Sequence, residues 1–381
     1  MRNSAIAAVR GVCFAMMRPI RRVLIVHPYG IGDLIFTTPI LRALRLLPGI
    51  TCVDLMLGSR TKEMIETNPH VDDIFVLDRD LWKTRTKLEN LKVMFKLGKL
   101  LKRKRYDLLI DFSMRREYAF WSKFVLGIPR RVGFDYKKRA TFHNFRYPLA
   151  DGFNDRHVSS FYSELAETVG VPVESRFLEF YVDEKAKVLA EAFFEKSIKA
   201  EKKTVVILAP GGGESWGADA ALKRWPVDSF KSFSEKLFQK IRNVKFVIIG
   251  SPKERVLAEE LQQKLGEKSL NIAGDFSVME TAAIIKKSNL FVGNDGGLMH
   301  IAHALRVPTI SVFGPTDPKV YGPYPANDGA IVVSAESKPS YERFRYNKED
   351  RSIQTIDPNR VWADFEKSVL FQKYFKENII L

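Results

Sequence analysis

The residues of this 381-residue chain whose types and spacing suit chemistry gather at four turns, three of them glycine-rich. The densest is Gly293-Asn294-Asp295-Gly296-Gly297. It follows an apolar run, Leu290 to Val292, and precedes a helical stripe, Leu298, Ile301, Ala302 and Leu305. Exposed N–H groups at such a helix start hold anions, phosphate above all; without a ligand the pattern is a tight strand-to-helix connection. Asp295 has the wrong sign for phosphate, which leaves it capping the helix or orienting His300 or Lys223. His300 lies one turn into the helix, off the stripe, where it could face a diphosphate. His303 reads as structural, because no Glu stands between the two histidines and no third zinc ligand is evident. Pro210-Gly211-Gly212-Gly213 is the second turn, followed by Lys223-Arg224-Trp225-Pro226. The missing Gly-Lys-Ser/Thr excludes a Walker loop. Lys223 is then either a point charge for a diphosphate or part of a basic helix start beside a packing Trp225. The third turn, Ile249 to Glu254, ends on an acid that suits a helix dipole. In the fourth, His27-Pro28-Tyr29-Gly30-Ile31-Gly32-Asp33, the carboxylate is either a helix N-cap or a general base for an attacking hydroxyl.

These turns need elements to hold them. Residues 290–313 read as strand, glycine turn, helix ended by Pro308, and strand, a βαβ unit. Its glycines fall at the carboxyl end of the first strand, where open α/β sheets bind ligands. Strands are predicted at 23–26, 51–57, 74–77 and 108–112, and again at 204–209, 244–249, 290–292 and 309–313. Helices are predicted at 34–47, 88–105, 182–200 (with a Lys-rich linker after it) and 358–371, the last with Val361, Phe365 and Val369 on one face. The Gly30-x-Gly32 pair is a poor dinucleotide fingerprint: Ile35 replaces the third glycine and Asp54 lies inside its strand. In 88–105, Leu88, Leu91, Met94, Phe95 and Leu101 share one side, and Lys92, Lys96, Lys99 and Arg103 another. The basic side is a solvated face or meets an anionic surface. The basic, aromatic stretch 130–147 reads as an irregular binding loop.

A hydrophobic content of 45% suits ordinary globular cores, and the length suits two domains. Only Cys13 and Cys52 occur, which excludes a disulfide framework and a Cys-based zinc site and suits a reducing compartment. No apolar run reaches the length of a membrane span. Residues 1–20 are apolar but split by Arg10, unlike a secretory signal; they read as an extension, with Met16 or Met17 as an alternative start. The net charge is +16, and residues 1–180 hold 31 Lys+Arg against 19 Asp+Glu. The amino-terminal half should therefore meet the more acidic partner.

The ordered run Asn-Asp-Gly-Gly-Leu-Met-His-Ile-Ala, Leu-x-x-Pro and Phe-Gly-Pro-Thr-Asp-Pro, from Asn294 to Pro318, resembles the signature of the ADP-heptose lipopolysaccharide heptosyltransferases of glycosyltransferase family 9. Gly32-Asp33 with Pro39-x-Leu41, and Lys223-Arg224-Trp225-Pro226 after an unusually long 214–222, resemble further parts of it. The resemblance implies an α/β chain in the GT-B arrangement: two facing Rossmann-like, doubly wound domains with a cleft between them. Residues 21–180 would bind the acceptor and 181–355 the nucleotide-sugar, with 1–20 an extension and 356–381 a closing helix. It implies inverting transfer of heptose from ADP-heptose to the lipopolysaccharide inner core, with no metal and no cofactor. Asp33 would be the base, and Lys223 with the Gly296 and Gly297 amides would stabilise the leaving diphosphate. Gly211, Gly212, Glu254 (towards the ribose), Asn294, Asp295, His300 and Thr316 would hold the donor. Lys92, Lys96, Lys99 and Arg103 would face the phosphorylated glycolipid and the anionic cytoplasmic face of the inner membrane, making the protein cytoplasmic and peripheral. The alternatives are a nucleotide-sugar epimerase of similar fold, which needs no acceptor, and a basic nucleic-acid-binding protein, against which stands the near-neutral second half.

Overall fold

A computed structural model of the protein describes residues 19–77, 84–198, 203–213 and 216–379. Most of the expected 1–20 extension, and the 199–202 portion of the expected helix and linker, lie outside them. Apolar runs rich in Val, Ile and Leu, buried on both faces, form the central strands of two parallel sheets. The first contains β1 (Arg22–His27), β2 (Cys52–Leu57), β3 (Ile74–Val76), β4 (Leu108–Asp111), β5 (Arg130–Asp135) and β6 (Phe145–Pro148), in the order β3-β2-β1-β4-β5-β6. The second contains β7 (Thr204–Ala209), β8 (Val244–Ile248), β9 (Ser269–Asn271), β10 (Leu290–Asn294), β11 (Thr309–Phe313) and β12 (Ala330–Ser334), in the order β12-β11-β10-β7-β8-β9. Counted within each half, the two orders are the same. Each reverses direction once, between β1 and β4 and between β7 and β10, and at such a switch point a crevice opens beyond the strand ends. The expected pair of doubly wound halves is therefore present. One apolar cluster joins them, running from β1 and Phe36 to Met299, Ile301 and Ala302.

Several local expectations are corrected. The stretch 130–147 is not an irregular loop; it supplies β5, paired parallel to β4, and the edge strand β6, paired parallel to β5. Arg131 is buried, and its guanidinium donates to the carbonyls of Phe142 at 2.9 Å, Pro129 at 3.2 Å and Ile128. Its charge is spent on backbone, not on an anion. The helix expected at 34–47 is two, Ile31–Ile35 and Thr38–Leu46. At the break the Thr37 hydroxyl donates to the Leu34 carbonyl at 2.6 Å and Thr38 to Ile35 at 2.8 Å.

The Lys87–Lys104 helix opens on a Thr86–Glu89 capping box. Its buried positions are Asn90, Gly98 and Leu101, whereas Leu88, Leu91 and Phe95 are 62%, 67% and 73% exposed. The apolar side read from the spacing is thus packed only at its carboxyl end. The closing helix is also two, Pro358–Glu366 and Val369–Tyr374, because Ser368 starts the second by accepting from the Phe371 amide. Val361 and Phe365 are buried in the second half, but Val369 faces solvent.

Candidate active site

A cleft of about 940 Å³ opens between the carboxyl ends of the two sheets. The turn after β1 and the turn after β10 meet in it. A Cβ on Gly32 would lie 2.6 Å from the His300 ring, and one on Gly297 would lie 2.7 Å from Cβ of Ile31. Only glycine lets the two turns approach this closely. The contact brings Asp33, from the first half, to face Lys223 and Asp295 of the second across the cleft.

Asp33 is the third residue of the Ile31–Ile35 helix. The N-cap is Gly30, so the capping alternative for Asp33 falls away. Burial pushes its carboxyl up to about 6; the Lys223 ammonium opposes this, and the Asp295 charge adds to it. The phenols of Tyr162, Tyr321 and Tyr341 lie within its electrostatic reach and are themselves held protonated, chiefly by burial. A carboxylate tuned this close to neutrality, in a cleft, is suited to take a proton from a substrate hydroxyl.

Asp295 has the opposite setting. Its Oδ2 accepts from Lys223 Nζ at 2.6 Å and from the Thr316 hydroxyl at 2.8 Å, with both ionic side chains over nine-tenths buried. It does not cap the Gly297–Ala304 helix, whose N-cap is Gly296. Of the roles open to it, orienting Lys223 is the one present. Lys223 Nζ also lies over the Trp216 ring, 5.1 Å from its centre. The ammonium lines the same cleft as Gly296 and Gly297, at the amino end of a helix, where the first amides have no intrahelical acceptor and the dipole is positive.

The remaining expected donor residues divide. Gly211, Glu254, Asn294 and Thr316 all line the cleft. Gly212 is buried behind it, with the Ala220 carbonyl closely packed where a side chain would be. The Asn294 side chain fastens the turns around it. Its Nδ2 donates to the carbonyls of Pro210 at 2.9 Å and Gly211 at 3.1 Å, while its Oδ1 accepts from the Trp225 amide at 3.1 Å. Glu254 also ties two turns together: Oε1 accepts from the Gly213 amide at 3.1 Å and Oε2 from the Ser251 amide at 2.9 Å. Each oxygen keeps a lone pair for a hydroxyl donor. His300 is buried against Phe36, ring centres 4.7 Å apart, and burial first, then Lys223 and His303, lower its pKa to about 3. It is a neutral imidazole and adds no charge to the site. His303 is structural as expected, its Nε2 3.1 Å from the Pro325 carbonyl.

Lys92, Lys96, Lys99 and Arg103 are exposed and none of them lines the cleft. Among the described residues, the one grouping of acids and thiol close enough for a metal is Cys52, Asp54 and Asp72. Asp54 there already accepts from Tyr106 at 2.6 Å and pairs with Lys104. The cleft adds residues not singled out from the sequence: Arg60 just beyond β2, and Tyr29, Trp216, Tyr341 and Tyr346. Arg60 could have been found, since it closes Gly58-Ser59-Arg60 at a strand's carboxyl end. Tyr341 and Tyr346 carry no such signal.

Comparison with known proteins bears on the same residues. The glycosyltransferase family 9 (heptosyltransferase) profile matches residues 94–350, a span that includes Lys223, Asp295 and Thr316. The chain belongs to that family. This family 9 glycosyltransferase is 26% identical to lipooligosaccharide heptosyltransferase 2 of Haemophilus ducreyi over 82% of its own length and 88% of that protein. Its fold is that of the family 9 glycosyltransferase of Veillonella parvula, with a TM-score of 0.76 at 20% identity, over 93% of this chain and 97% of the other. It also matches the Escherichia coli ADP-heptose LPS heptosyltransferase II, with a TM-score of 0.71 at 23% identity, over 92% and 99% of the two chains.

Proposed function

We propose that this family 9 glycosyltransferase transfers a heptose from ADP-heptose to the inner core of lipopolysaccharide, by one inverting displacement. The observation that carries the chemistry is the facing pair of acids, Asp33 pushed up to about 6 and Asp295 held against Lys223. The acceptor hydroxyl attacks the anomeric carbon while Asp33 takes its proton. The bond from that carbon to the diphosphate breaks, and its electron pair leaves on ADP. Lys223 and the helix amides from Gly296 onward stabilise the developing charge. Asp295 and Thr316 keep the ammonium in place. The second half holds the donor, with Glu254 positioned for a ribose hydroxyl, and the first half holds the acceptor, with Arg60 in reach of its anionic groups. The donor and the acceptor follow from the names of the relatives and the matched signature.

Among the described residues, no helix is long and apolar enough to cross a membrane. The exposed stripe of Lys92, Lys96, Lys99 and Arg103 suits attraction to an anionic lipid surface, and we place the enzyme peripherally at the cytoplasmic face of the inner membrane. Calorimetry with ADP, UDP and GDP tests the donor site, and ADP should bind most tightly. Incubation with ADP-heptose should release ADP quickly only when an inner-core acceptor is added. Tighter UDP binding, or rapid donor conversion without acceptor, would contradict the proposal, the second outcome favouring an epimerase.

A further inference from the structure

We propose that Trp216 is a positioning residue for Lys223, and that a strap clamped on the first half holds Trp216 in place. The inference rests on the role given to Lys223 above. Asp295 fixes the ammonium from one direction only, and a four-carbon stem leaves it free to pivot about that carboxylate. The second constraint is the Trp216 ring, 5.1 Å from Nζ. A desolvated ammonium is attracted to an indole face.

Trp216 is itself held from outside its own segment. Tyr346 stacks on it at 4.1 Å with the planes 14° apart, and Tyr341 lies at 5.3 Å and 29°. The Tyr346 hydroxyl donates to Asp219 at 2.7 Å, closing the stack onto the 3-10 turn Gly217–Lys223 that ends in Lys223. The Tyr341 amide donates to the Pro315 carbonyl at 2.8 Å, next to Thr316.

Both tyrosines belong to a strap that follows β12. Between them, Arg343 and Phe344 adopt left-handed backbone, φ 50° and 64°. They form the tip of a two-residue turn closed by reciprocal backbone hydrogen bonds between Glu342 and Arg345, at 2.8 and 2.9 Å. The first half grips that tip. Tyr136 donates to the Arg343 carbonyl at 3.2 Å, Arg343 pairs with Asp151 at 2.7 Å, and the Phe344 ring packs edge-on against Tyr136 and Phe153 at 5.0 and 5.4 Å. Contact between the halves thus reaches Lys223 through the strap and Trp216. The lysine is presented to the leaving group when both halves grip the strap.

The test compares Trp216→Leu, Trp216→Phe, Phe344→Ala and the Phe344→Ala/Trp216→Leu pair. Trp216→Leu should lower kcat about 3- to 30-fold at saturating substrates, the usual worth of such a contact, with little change in acceptor KM. Trp216→Phe, which keeps an aromatic face, should recover most of that loss. Phe344→Ala should lower kcat in the same direction, and the double variant should be no slower than Trp216→Leu alone, because both act through one path. Binding separates this inference from the proposed reaction: Trp216→Leu should weaken ADP more than AMP, which lacks the second phosphate. If the native enzyme transferred no heptose, the proposed reaction would fail while this binding difference still tested Trp216. Equal loss in the Leu and Phe variants, additive effects in the double variant, or unchanged ADP preference over AMP would overturn the role of Trp216.

Discussion

The turn after β1 and the turn after β10 both stand at a switch point, one beside the first strand of its half and the other beside the fourth, and each carries one acid at the mouth of a helix. Their electrostatics are opposite. Asp295 is paired with Lys223 and Thr316 and acts as an anchor for the ammonium. Asp33 has no salt-bridge partner among the described residues and is pushed up to about 6 by burial. Two turns on opposite sides of the cleft have produced a carboxylate that holds a cation and a carboxylate kept ready for a proton. An acid buried without an ion-pair partner, facing one held in an ion pair, divides the labour of the site.

The largest effect should come from removing the proton acceptor. Asp33→Asn should slow transfer by about 10²–10⁴-fold and leave ADP affinity nearly unchanged. It should also raise the melting temperature. Because the folded pKa lies above the unfolded one, the native state binds this proton more tightly. Stability therefore falls as pH rises from about 4 through about 6. The variant escapes that loss, so its advantage in Tm over the native protein should open across the same window.

On the anchor side, Lys223→Met should slow transfer by about 10²–10³-fold. It leaves a buried carboxylate unpaired, and breaking such a pair costs about 3–5 kcal/mol. Adding Asp295→Asn should restore much of the Tm and none of the activity. If the double variant regained activity, Lys223 would be a prop for Asp295 and the comparison would be inverted.

Gly32→Ala tests whether the two turns must touch. The methyl would meet the His300 ring at 2.6 Å, and overpacking of this kind costs about 1–3 kcal/mol. Transfer should fall several-fold through kcat, with ADP binding unchanged, when both are measured in one preparation.

The smallest effect on chemistry should come from changing Lys92, Lys96, Lys99 and Arg103 to Gln. Transfer to a short soluble acceptor should be unaltered. Cosedimentation with anionic vesicles should weaken by up to about 1 kcal/mol per residue, and the native protein's binding should vanish near 1 M salt as the Debye length shrinks to about 3 Å. Equal binding to neutral vesicles would move the attraction to the exposed apolar side chains of the same helix.

The sequence made the scaffold legible because buried parallel strands are continuous apolar runs, and eight of the twelve strands among the described residues announce themselves in this way. It failed at β5 and β6, where Arg130, Arg131 and Arg146 interrupt any apolar run and only the carbonyls that Arg131 meets in the fold explain it, and at the short strand β9 and the edge strand β12. Helix spacing shows which residues share a side, not how far the neighbouring layer extends, so Leu88, Leu91 and Phe95 looked packed and are exposed. In the site, glycine turns and charged residues were visible because backbone geometry and charge leave local marks. Whether Asn294 fastens or binds, and whether Asp33 ionises, depends on partners and burial supplied by distant segments. Tyr341 and Tyr346 reach the cleft on a strap that no local pattern describes.

The pH dependence of kcat for heptose transfer, native enzyme against Asp33→Asn, tests the central assignment most directly. The native rate should fall on the acid side with a midpoint near the value of about 6 held by Asp33, and the small residual rate of the variant should show no such limb. A native profile flat through that range, or a variant that keeps both the limb and most of the rate, would show that Asp33 is not the proton acceptor.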